Sequence, residues 1–397
     1  MITQKNPIRN VIKPLAGSMA ALLLASAVGH ADPIGGGATW NANPVDGNWG
    51  NSANWTPATV PSSPFDTAFF NRSSVVNIQL PMFTGTDING MVFNSGASAF
   101  NFAVQSAGLI FVGQGVTNNS SNVQNFVVGP DAAILFVERS NAGKNTTFVA
   151  YGGQDGGEGG GRLFFENQSS AGNSTLIALG GSVAPLEEIR AFFSPFLTSG
   201  GGIFFEDNSQ GGQATVKLYG NGFLDISEHN PGSVVIGSLE GNGLVFLGSN
   251  NLTVGSNNKS TVFSGIIQDG GEGVIFEGGE GGPFGVGGSL TKIGTGTLTL
   301  RGSNAYTGNT IINGGTLIVD GSIASPFTFV NPGGTLGGHG FIGGSVINNG
   351  LVSPGNSPGT LTIKDNYNQS SVGGLLIQVA SPNVYDHLVV GGTATLG

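Results

Sequence analysis

Cysteine is absent from this sequence of 397 residues, and charged residues are few, at 9%. Without cysteine, the chain can form neither a disulfide framework nor a thiolate metal site. The 13 Lys and Arg residues against 23 Asp and Glu residues give a formal net charge of −10. A basic surface for nucleic-acid phosphates is therefore missing, and we expect no nucleic-acid partner.

Histidine is also scarce. The four histidines stand far apart in the sequence, without the paired spacing of metal ligands, at His30, His229, His339 and His387. We expect no metal site and no cofactor. Beyond the N-terminal leader, the sequence has no apolar run of the ~20 residues that a membrane-spanning helix needs.

Glycine, with 71 residues, and apolar residues, at 39%, are abundant. Neither the three-residue period of collagen nor the high charge of a disordered chain is present. Short runs of Val, Ile, Leu, Phe and Thr alternate with Gly and Asn turns, and no helical spacing of apolar residues persists. The pattern predicts an all-β protein, with enough apolar material for a continuous core in an elongated, repetitive chain.

The first 31 residues have the three parts of an export signal. The positive segment contains three basic residues, Lys5, Arg9 and Lys13. The apolar segment spans 15–28, and small residues precede the expected cleavage after Ala31, with Ala27 as the alternative. A membrane anchor would need a longer apolar run. We therefore predict a signal peptide at residues 1–31 and an exported chain.

All three tryptophans occur in one block, separated by Asn, Gly and Pro turn residues, at Trp40, Trp49 and Trp55. Aromatic rings of this kind can stack on sugars if they are exposed. The end unit of a repetitive fold, however, needs an atypical covering sequence. We favour the second interpretation and assign residues 32–130 to an N-terminal cap with the first β-coils.

Residues 131–287 contain a degenerate repeat. Residues 135–138, Leu-Phe-Val-Glu, correspond to 163–166, Leu-Phe-Phe-Glu, at an offset of 28. Residues 203–206, Ile-Phe-Phe-Glu, follow the second copy at an offset of 40. Each copy continues into a polar turn before the next apolar run, which indicates a repeating strand and turn unit.

A closer repeat occurs later, where 313–317, Asn-Gly-Gly-Thr-Leu, is echoed by 332–336, Pro-Gly-Gly-Thr-Leu, at an offset of 19. This offset is about one coil of a parallel β-helix, in which three short strands and three turns form a rung. A meander with Gly-Gly hairpin turns is the alternative, but repetition at coil spacing favours the solenoid. We predict a right-handed parallel β-helix with an N-terminal capping region.

Residues 288–321 contain Leu-Thr-Lys-Ile-Gly-Thr-Gly-Thr-Leu-Thr-Leu and, further on, Asn-Gly-Gly-Thr-Leu. This stretch closely resembles the autotransporter-associated β-strand repeat, and the match runs from Leu290 to Leu317. That repeat is found in secreted passenger domains of autotransporter proteins of Gram-negative bacteria. The resemblance implies an exported β-helical passenger, displayed at the cell surface or outer membrane or released outside the cell, with residues 288–397 as its repeat region.

In autotransporters the passenger leads into a C-terminal translocator barrel, which needs a long series of alternating strands of roughly ten residues. Residues 351–363 and 385–390 resemble the stretch that precedes the barrel. The resemblance thus implies a translocator barrel as a partner that we expect to be missing from this chain. A chain without the barrel would be either a fragment or a truncated product.

Two glycine motifs match catalytic patterns in outline. Residues 355–359 fit G-x-S-x-G with Ser357 at the nucleophile position, but a strand-like segment at 360–363 follows where a helix is required. G-x-G-x-x-G is matched by Gly338, Gly340 and Gly343. The sequence after it, 345–348, does not begin a helix that could receive a pyrophosphate. We predict turns at both places.

Glycine-rich acidic segments occupy residues 152–161 and 269–282. Their carboxylates are the kind of ligand that calcium prefers. They lack the regular Gly and Asp spacing of nonapeptide calcium-binding repeats. We interpret both as solvated, flexible loops.

A polysaccharide lyase or hydrolase is the main alternative to a structural role, because β-helices can carry carboxylate sites along one face. Such chemistry needs a converging acid and base. The best acidic candidates are Glu138, Glu166, Glu206 and Asp207. We expect three of these to recur at one position of successive units, which favours a structural role, and clustered basic partners are missing.

We therefore expect no catalytic residues. The function that the sequence favours is a non-catalytic stalk or adhesin, with a host-cell, matrix or polysaccharide surface as its partner. Many shallow polar contacts would hold that partner. Resemblance at the level of the fold cannot name it.

Overall fold

Short β-strands, each ended by a turn, form most of the regular structure. The computed structural model describes residues 36–81, 85–154, 158–182, 199–271, 285–355 and 358–397. The predicted signal peptide lies outside these residues, and Gly37–Gly397 form one compact unit. Within the described ranges, we find no helix with the length and apolarity that a membrane crossing requires.

The strands, labelled in chain order, and one short 3-10 helix have the following bounds: β1 Gly37–Trp40, the 3-10 helix Ser52–Asn54, β2 Trp55–Thr56, β3 Thr67–Phe70, β4 Asn77–Gln79, β5 Thr86–Phe93, β6 Asn101–Val104, β7 Gly108–Asn118, β8 Gln124–Val128, β9 Ala133–Phe136, β10 Lys144–Ala150, β11 Arg162–Phe165, β12 Asn173–Ala178, β13 Gly202–Phe205, β14 Thr215–Leu218, β15 Phe223–Asp225, β16 Ser233–Ile236, β17 Ser238–Gly241, β18 Leu244–Phe246, β19 Asn251–Val254, β20 Thr261–Phe263, β21 Ile266–Gln268, β22 Ser289–Lys292, β23 Thr297–Leu300, β24 Ser303–Asn304, β25 Thr310–Ile312, β26 Gly315–Val319, β27 Ser322–Ile323, β28 Phe327–Val330, β29 Gly334–Gly338, β30 Phe341–Ile342, β31 Ser345–Asn348, β32 Leu351–Pro354, β33 Thr360–Ile363, β34 Tyr367–Gln369, β35 Gly374–Leu375, β36 Val379–Ser381, β37 Val384–Tyr385, β38 His387–Val390 and β39 Ala394–Leu396.

The strands form four long sheets and one hairpin. Sheet 1 has the order β2-β1-β3-β5-β7-β9-β11-β13-β15-β18-β21, sheet 2 has β4-β6-β8-β10-β12-β14-β17-β20-β23-β26-β29-β32-β35, sheet 3 has β16-β19-β22-β25-β28-β31-β34-β39, and sheet 4 has β24-β27-β30-β33-β38. Named strands pair in parallel, except that β1 pairs with β2 and β36 with β37 antiparallel.

From β3 onward, consecutive strands of the chain lie in different sheets, apart from the hairpin β36–β37, whereas neighbours within each long sheet are one coil apart. From β3 to β15 the chain alternates between sheets 1 and 2, and from β16 it also contributes a strand to sheet 3. Sheet 4 continues the stack of sheet 1, since the Ile267 N–H donates to Oδ1 of Asn304 at 3.0 Å. This winding confirms the predicted all-β parallel β-helix; its right-handed sense stays a prediction.

Side chains alternate between the core and the outside along each strand, as the strand period of two requires. In β10, for example, Thr146, Phe148 and Ala150 are buried, while Thr147 and Val149 are half-buried on the outer surface. Parallel pairing then stacks like residues from one coil to the next. The core consists of such columns.

Phenylalanine forms the clearest core columns. One column contains Phe111, Phe136, Phe165 and Phe205, with ring centroids 4.8, 5.0 and 4.8 Å apart and nearly parallel rings. A second contains Phe102, Phe126 and Phe148, at 4.8 and 4.6 Å. These distances are close to the strand spacing, so the ring stacking follows directly from the pairing of the strands.

The three tryptophans are buried at the N-terminal end of the core. Each indole N–H donates to a backbone carbonyl: Trp40 to Val75 at 3.1 Å, Trp49 to Pro61 at 3.0 Å and Trp55 to Trp49 at 2.8 Å. The antiparallel strand β2 covers this end of sheet 1. Buried rings offer no platform for a sugar, and their position beside β2 favours the interpretation of this block as a cap.

The repeat at an offset of 19 is confirmed, since Thr316 pairs with Thr335 and Leu317 with Leu336. The offset of 40 is also correct, with Leu163 opposite Ile203. The offset of 28 is wrong by one residue. Leu135 pairs with Phe164, so the true offset is 29, and Val137 rather than Glu138 occupies the position of Glu166.

The lysine of the sequence motif, Lys292, points into the core between Val254 and Ile312. Its Nζ donates to the carbonyl oxygens of Ile293 at 2.6 Å and Gly314 at 3.2 Å. Burial lowers the pKa of Lys292 to about 8. The motif lysine therefore closes a corner of the solenoid and is not presented to a ligand.

Candidate functional site

A column of amide and hydroxyl side chains runs along the outer surface of sheet 2. Its members occupy equivalent positions of five successive strands and are exposed or half-exposed: Asn77, Asn101, Asn125, Thr147 and Thr175. Nδ2 of Asn101 donates to Oδ1 of Asn77 at 2.9 Å, and Nδ2 of Asn125 donates to Oδ1 of Asn101 at 3.0 Å. The amides thus fix one another while the outer side of the column remains open to solvent.

An aliphatic column lies beside this polar column, two residues further along each strand. Its members are Ala103, Val127, Val149 and Ile177, each half-buried on the outer surface. At the corner that follows, Tyr151 is 42% exposed and Tyr219 is 40% exposed. We call the polar column, the aliphatic column and these two tyrosines the ladder face.

The polar and aliphatic columns of the ladder face end at β14, where charged groups begin. The strand β14 brings Lys217 into the aliphatic column, where it forms an ion pair with Glu240 of β17. The hydrogen bond from Lys217 to Glu240 raises the pKa of the lysine. Thr215, next in the polar column, is covered by Lys259, whose Nζ donates to Oγ1 of the threonine at 3.0 Å.

The sequence analysis missed the ladder face, although a signal for it was present. The three asparagines stand at a constant interval of 24 residues, which is the length of one coil at this end of the solenoid. A search for polar residues at a coil-length interval would have found the column. A search for clustered carboxylates could not have found it, because the column contains amides and hydroxyls.

The acidic candidates occupy two different positions. Glu166 and Glu206 are neighbours on the outer side of sheet 1, since the Glu206 N–H donates to the carbonyl oxygen of Phe165 at 2.8 Å. Burial, with a smaller contribution from Asp207, raises the pKa of Glu166 to about 7. Burial and then the charge of Glu166 raise the pKa of Glu206 to about 8. Both carboxyls are therefore partly protonated near neutral pH.

Glu138 and Asp207 belong to a corner one residue further along. There, Glu138, Asn167 and Asp207 all have φ between 53° and 57°, a left-handed conformation in which Asn and Asp are enriched. Oδ2 of Asp207 accepts hydrogen bonds from the backbone N–H and the Nδ2 of Asn167, at 3.1 and 3.2 Å. The expected recurrence of Glu138 with Glu166 and Glu206 is therefore wrong.

The histidines that the structure describes lie in separate places. His229 is buried, with Nδ1 2.6 Å from the Asn230 carbonyl oxygen and Nε2 3.0 Å from that of Ser209. His339 lies 3.5 Å from Asp320, and His387 packs against Tyr385. In the described part of the chain, no group of three His, Asp or Glu side chains could hold a metal ion.

The glycine motifs lead into strands, as predicted. After Gly359 comes β33, and after Gly343 comes β31. Ser357 lies outside the described residues. Neither motif therefore opens the helix that its catalytic form requires.

In the first acidic glycine-rich segment, the described residues are packed and not solvated as we expected, whereas for most of the second segment the loop stays a prediction. Gly160 is buried, and a Cβ there would lie 2.1 Å from the carbonyl oxygen of Gly200, so the described part of 152–161 packs closely on the next coil. Asp269 accepts hydrogen bonds from the N–H groups of Gly287 and Gly288 and from Oγ1 of Thr307. The carboxylate of Asp269 thus stabilises a turn through hydrogen bonds. Residues 272–282 lie outside the described ranges.

Comparison with known proteins gives one family match and two partial relatives. The family model described as the passenger-associated-transport-repeat matches residues 290–319. Over 113 residues, or 28% of this chain, the sequence is 33% identical to the adhesin BmaC autotransporter of Brucella suis biovar 1 (strain 1330). Over 77 residues, or 19% of this chain, it is 46% identical to an extracellular serine protease of Serratia marcescens.

The matched parts span only 3% and 7% of the lengths of these two relatives. Nevertheless, the family match falls on the stretch that carries the sequence resemblance, and that stretch forms β22 to β26 of the solenoid. The predicted export to the cell surface or the extracellular space agrees with these matches. The chain is therefore similar to exported passengers of the autotransporter type, and its residues 290–319 match the passenger-associated-transport-repeat.

Proposed function

We propose that this passenger is a non-catalytic adhesin that holds its partner through the ladder face. The observation that carries the proposal is the five-strand column of solvent-facing Asn and Thr side chains beside an uncovered aliphatic column. The similarity to an autotransporter adhesin supports it. Polar rungs repeated at the strand spacing of ≈ 4.8 Å offer the same contacts again and again along one direction.

Repetition makes shallow contacts effective. A single rung presents too little area for stable binding, but a partner that engages several rungs binds each further rung as an intramolecular event. The solenoid core keeps the rungs in fixed positions, so less conformational entropy is lost on binding than a flexible loop would lose. A passenger of this design adheres strongly only to a repetitive or extended partner.

Replacing Thr147 and Thr175 together by Glu tests the face. Both side chains are half-exposed on the outer surface, so we expect an unchanged fold but at least tenfold weaker adhesion of beads coated with the purified chain to cells or matrix. The reason is that two new carboxylates must be desolvated against an uncharged surface. Adhesion is measured by counting bound beads.

The matched control is the double change Thr316→Glu and Thr335→Glu. These threonines form an equivalent outward pair on sheet 2, but they lie far from the ladder face. We expect this variant to adhere like the wild type. Equal losses in both variants, or no loss in either, would remove the ladder face from consideration.

A polysaccharide hydrolase remains the second candidate because of Glu206 and Glu166. A carboxyl of raised pKa beside a second carboxyl is the arrangement that glycoside hydrolysis uses. Incubation of the chain with soluble and insoluble polysaccharides, followed by an assay of reducing and unsaturated ends, separates the two functions. We expect no turnover; release of sugar ends that Glu206→Gln abolishes would establish the enzyme.

A further inference from the structure

We infer that the partner of the ladder face is an uncharged polysaccharide, bound as an extended chain along the solenoid axis. This inference rests on the proposed adhesin function and adds the chemical class of the ligand. Three observations carry it: the absence of charge on the face, the pairing of its chemical groups and the spacing of its tyrosines.

The two columns of the ladder face contain no Lys, Arg, Asp or Glu between Asn77 and Ile177. Lys217, the next member of the aliphatic column, is already paired with Glu240, so a sulfated, phosphorylated or carboxylated polymer would meet no free cation in the columns to replace its water and counterions. Binding such a polymer would leave its charges poorly solvated, at a large cost. An uncharged polymer incurs no such penalty.

The remaining chemistry of the face matches a sugar. A pyranose ring has an apolar C–H face and a rim of hydroxyls that both donate and accept hydrogen bonds. Asn side chains and Thr hydroxyls also donate and accept, while Val127, Val149 and Ile177 offer apolar surface directly beside them. Exposed tyrosine rings present a flat apolar body with a polar tip, as Tyr151 and Tyr219 do here.

The positions of the two tyrosines indicate the direction in which the polysaccharide binds, along the solenoid axis. Tyr151 follows β10 and Tyr219 follows β14, with β12 between these strands in sheet 2. Two strand spacings separate the rings by about 9.6 Å along the axis. An extended β-linked disaccharide has a repeat of this order, so alternate sugars of one chain can stack on successive rings.

A protein partner that adds a strand fits this face less well. Strand addition needs an unpaired edge, but β6, β8, β10 and β12 are each paired on both sides. Only side chains are available for recognition there. The polymer must therefore be recognised by its hydroxyls and C–H surfaces.

The test begins with the full chain on an array of neutral glucan, mannan and chitin oligosaccharides beside anionic heparan sulfate and polygalacturonate. The strongest neutral binder is then titrated calorimetrically as its two-unit and six-unit oligomers, at low and high salt. We expect the six-unit oligomer to bind at least tenfold more tightly, because it spans more rungs. Its affinity should not change with salt, because no ion pair is screened.

Tyr151→Ala should weaken binding of the six-unit oligomer about fivefold or more, since one stacked ring is lost. Tyr385→Ala removes a similarly exposed tyrosine, 38% accessible, from the other end of the chain and serves as the control. Binding confined to anionic glycans, or no binding by any neutral glycan, would overturn the ligand class. If adhesion to cells were still blocked by Thr147→Glu with Thr175→Glu, the adhesin function would survive that result.

Discussion

Replacing Phe136 by alanine is expected to lower the free energy of unfolding by about 3–5 kcal/mol. The ring of Phe136 is fully buried and lies between Phe111 at 4.8 Å and Phe165 at 5.0 Å. Phe148 contacts its edge at 5.4 Å. Removing the ring opens a cavity inside the column, and the paired strands on either side prevent the neighbouring rings from closing it.

The measurement is equilibrium unfolding in guanidinium chloride, combined with hydrogen exchange to locate the effect. Because each coil of a solenoid contacts only its neighbours, we expect exchange to increase mainly in β7, β9 and β11. The matched control is Phe164→Ala, which removes a half-buried ring that stacks on Phe204 at 4.6 Å on the outer side of the same sheet. A loss as large for Phe164→Ala as for Phe136→Ala would contradict the assignment of the core.

Replacing Glu206 by glutamine is expected to stabilise the protein above pH 8 and to leave it almost unchanged at pH 4. In the folded protein, burial and the charges of Glu166, Glu228, Asp225 and Asp207 raise the pKa of Glu206 from 4.5 to about 8. Between these two values the folded state binds more protons than the unfolded state. The free energy of unfolding therefore falls as the pH rises from about 4.5 to 8.

Glutamine is neutral at every pH, so the free energy of unfolding of the Glu206→Gln variant does not fall in this way as the pH rises. With allowance for the solvent that still reaches the side chain, we expect a gain of about 2 kcal/mol at pH 9, measured as the free energy of unfolding across pH 4–9. Glu138→Gln is the matched control, because Glu138 is exposed and occupies the neighbouring corner column two coils away. If the difference in the free energy of unfolding between Glu206→Gln and wild type stayed constant across this range, ionisation of Glu206 would not destabilise the folded protein, and the prediction would be wrong.

The sequence could predict the solenoid because the evidence for it is local and repeated. The pair 313–317 and 332–336 shares both its turn glycines and its strand residues, so its alignment is unambiguous, and Thr316 pairs with Thr335 as expected. The tryptophan cap was predictable for a related reason. Large aromatic residues between turn signals at one end of a repetitive chain have few other uses.

The predicted offset of 28 between 135–138 and 163–166 was wrong because sheet 1 is apolar on both faces at this point. Leu135 and Phe164 point outward, while Phe136 and Phe165 point into the core. A one-residue slip normally exchanges polar for apolar side chains and reveals itself, but here it exchanges one apolar side chain for another. The corner residues with positive φ, such as Glu138 and Asn167, fix the alignment, and their conformation is not evident in the sequence.

The change from two to three strands in each coil was equally hidden. Before β16, the third side consists of polar turns joined by single bridges, such as those of Asn141 with Ser170 and of Ser170 with Gln210. After it, sheet 3 occupies a third side. The turns are polar or small, as in Ser-Ser-Ala-Gly at 169–172, whereas β16 is the apolar run Ser-Val-Val-Ile. Only pairing along the axis shows that both lie on the same side of the coil.

Stacking coils along one axis also determines how the molecule responds to force. The hydrogen bonds between coils are aligned with the axis, so a pull on the two ends loads one terminal coil at a time and not the whole sheet. A coil of 19 residues releases about 65 Å of extended chain when it opens. If the ladder face binds a partner as proposed, that contact is attached to a reserve of chain length, which yields stepwise under shear before the contact itself is broken.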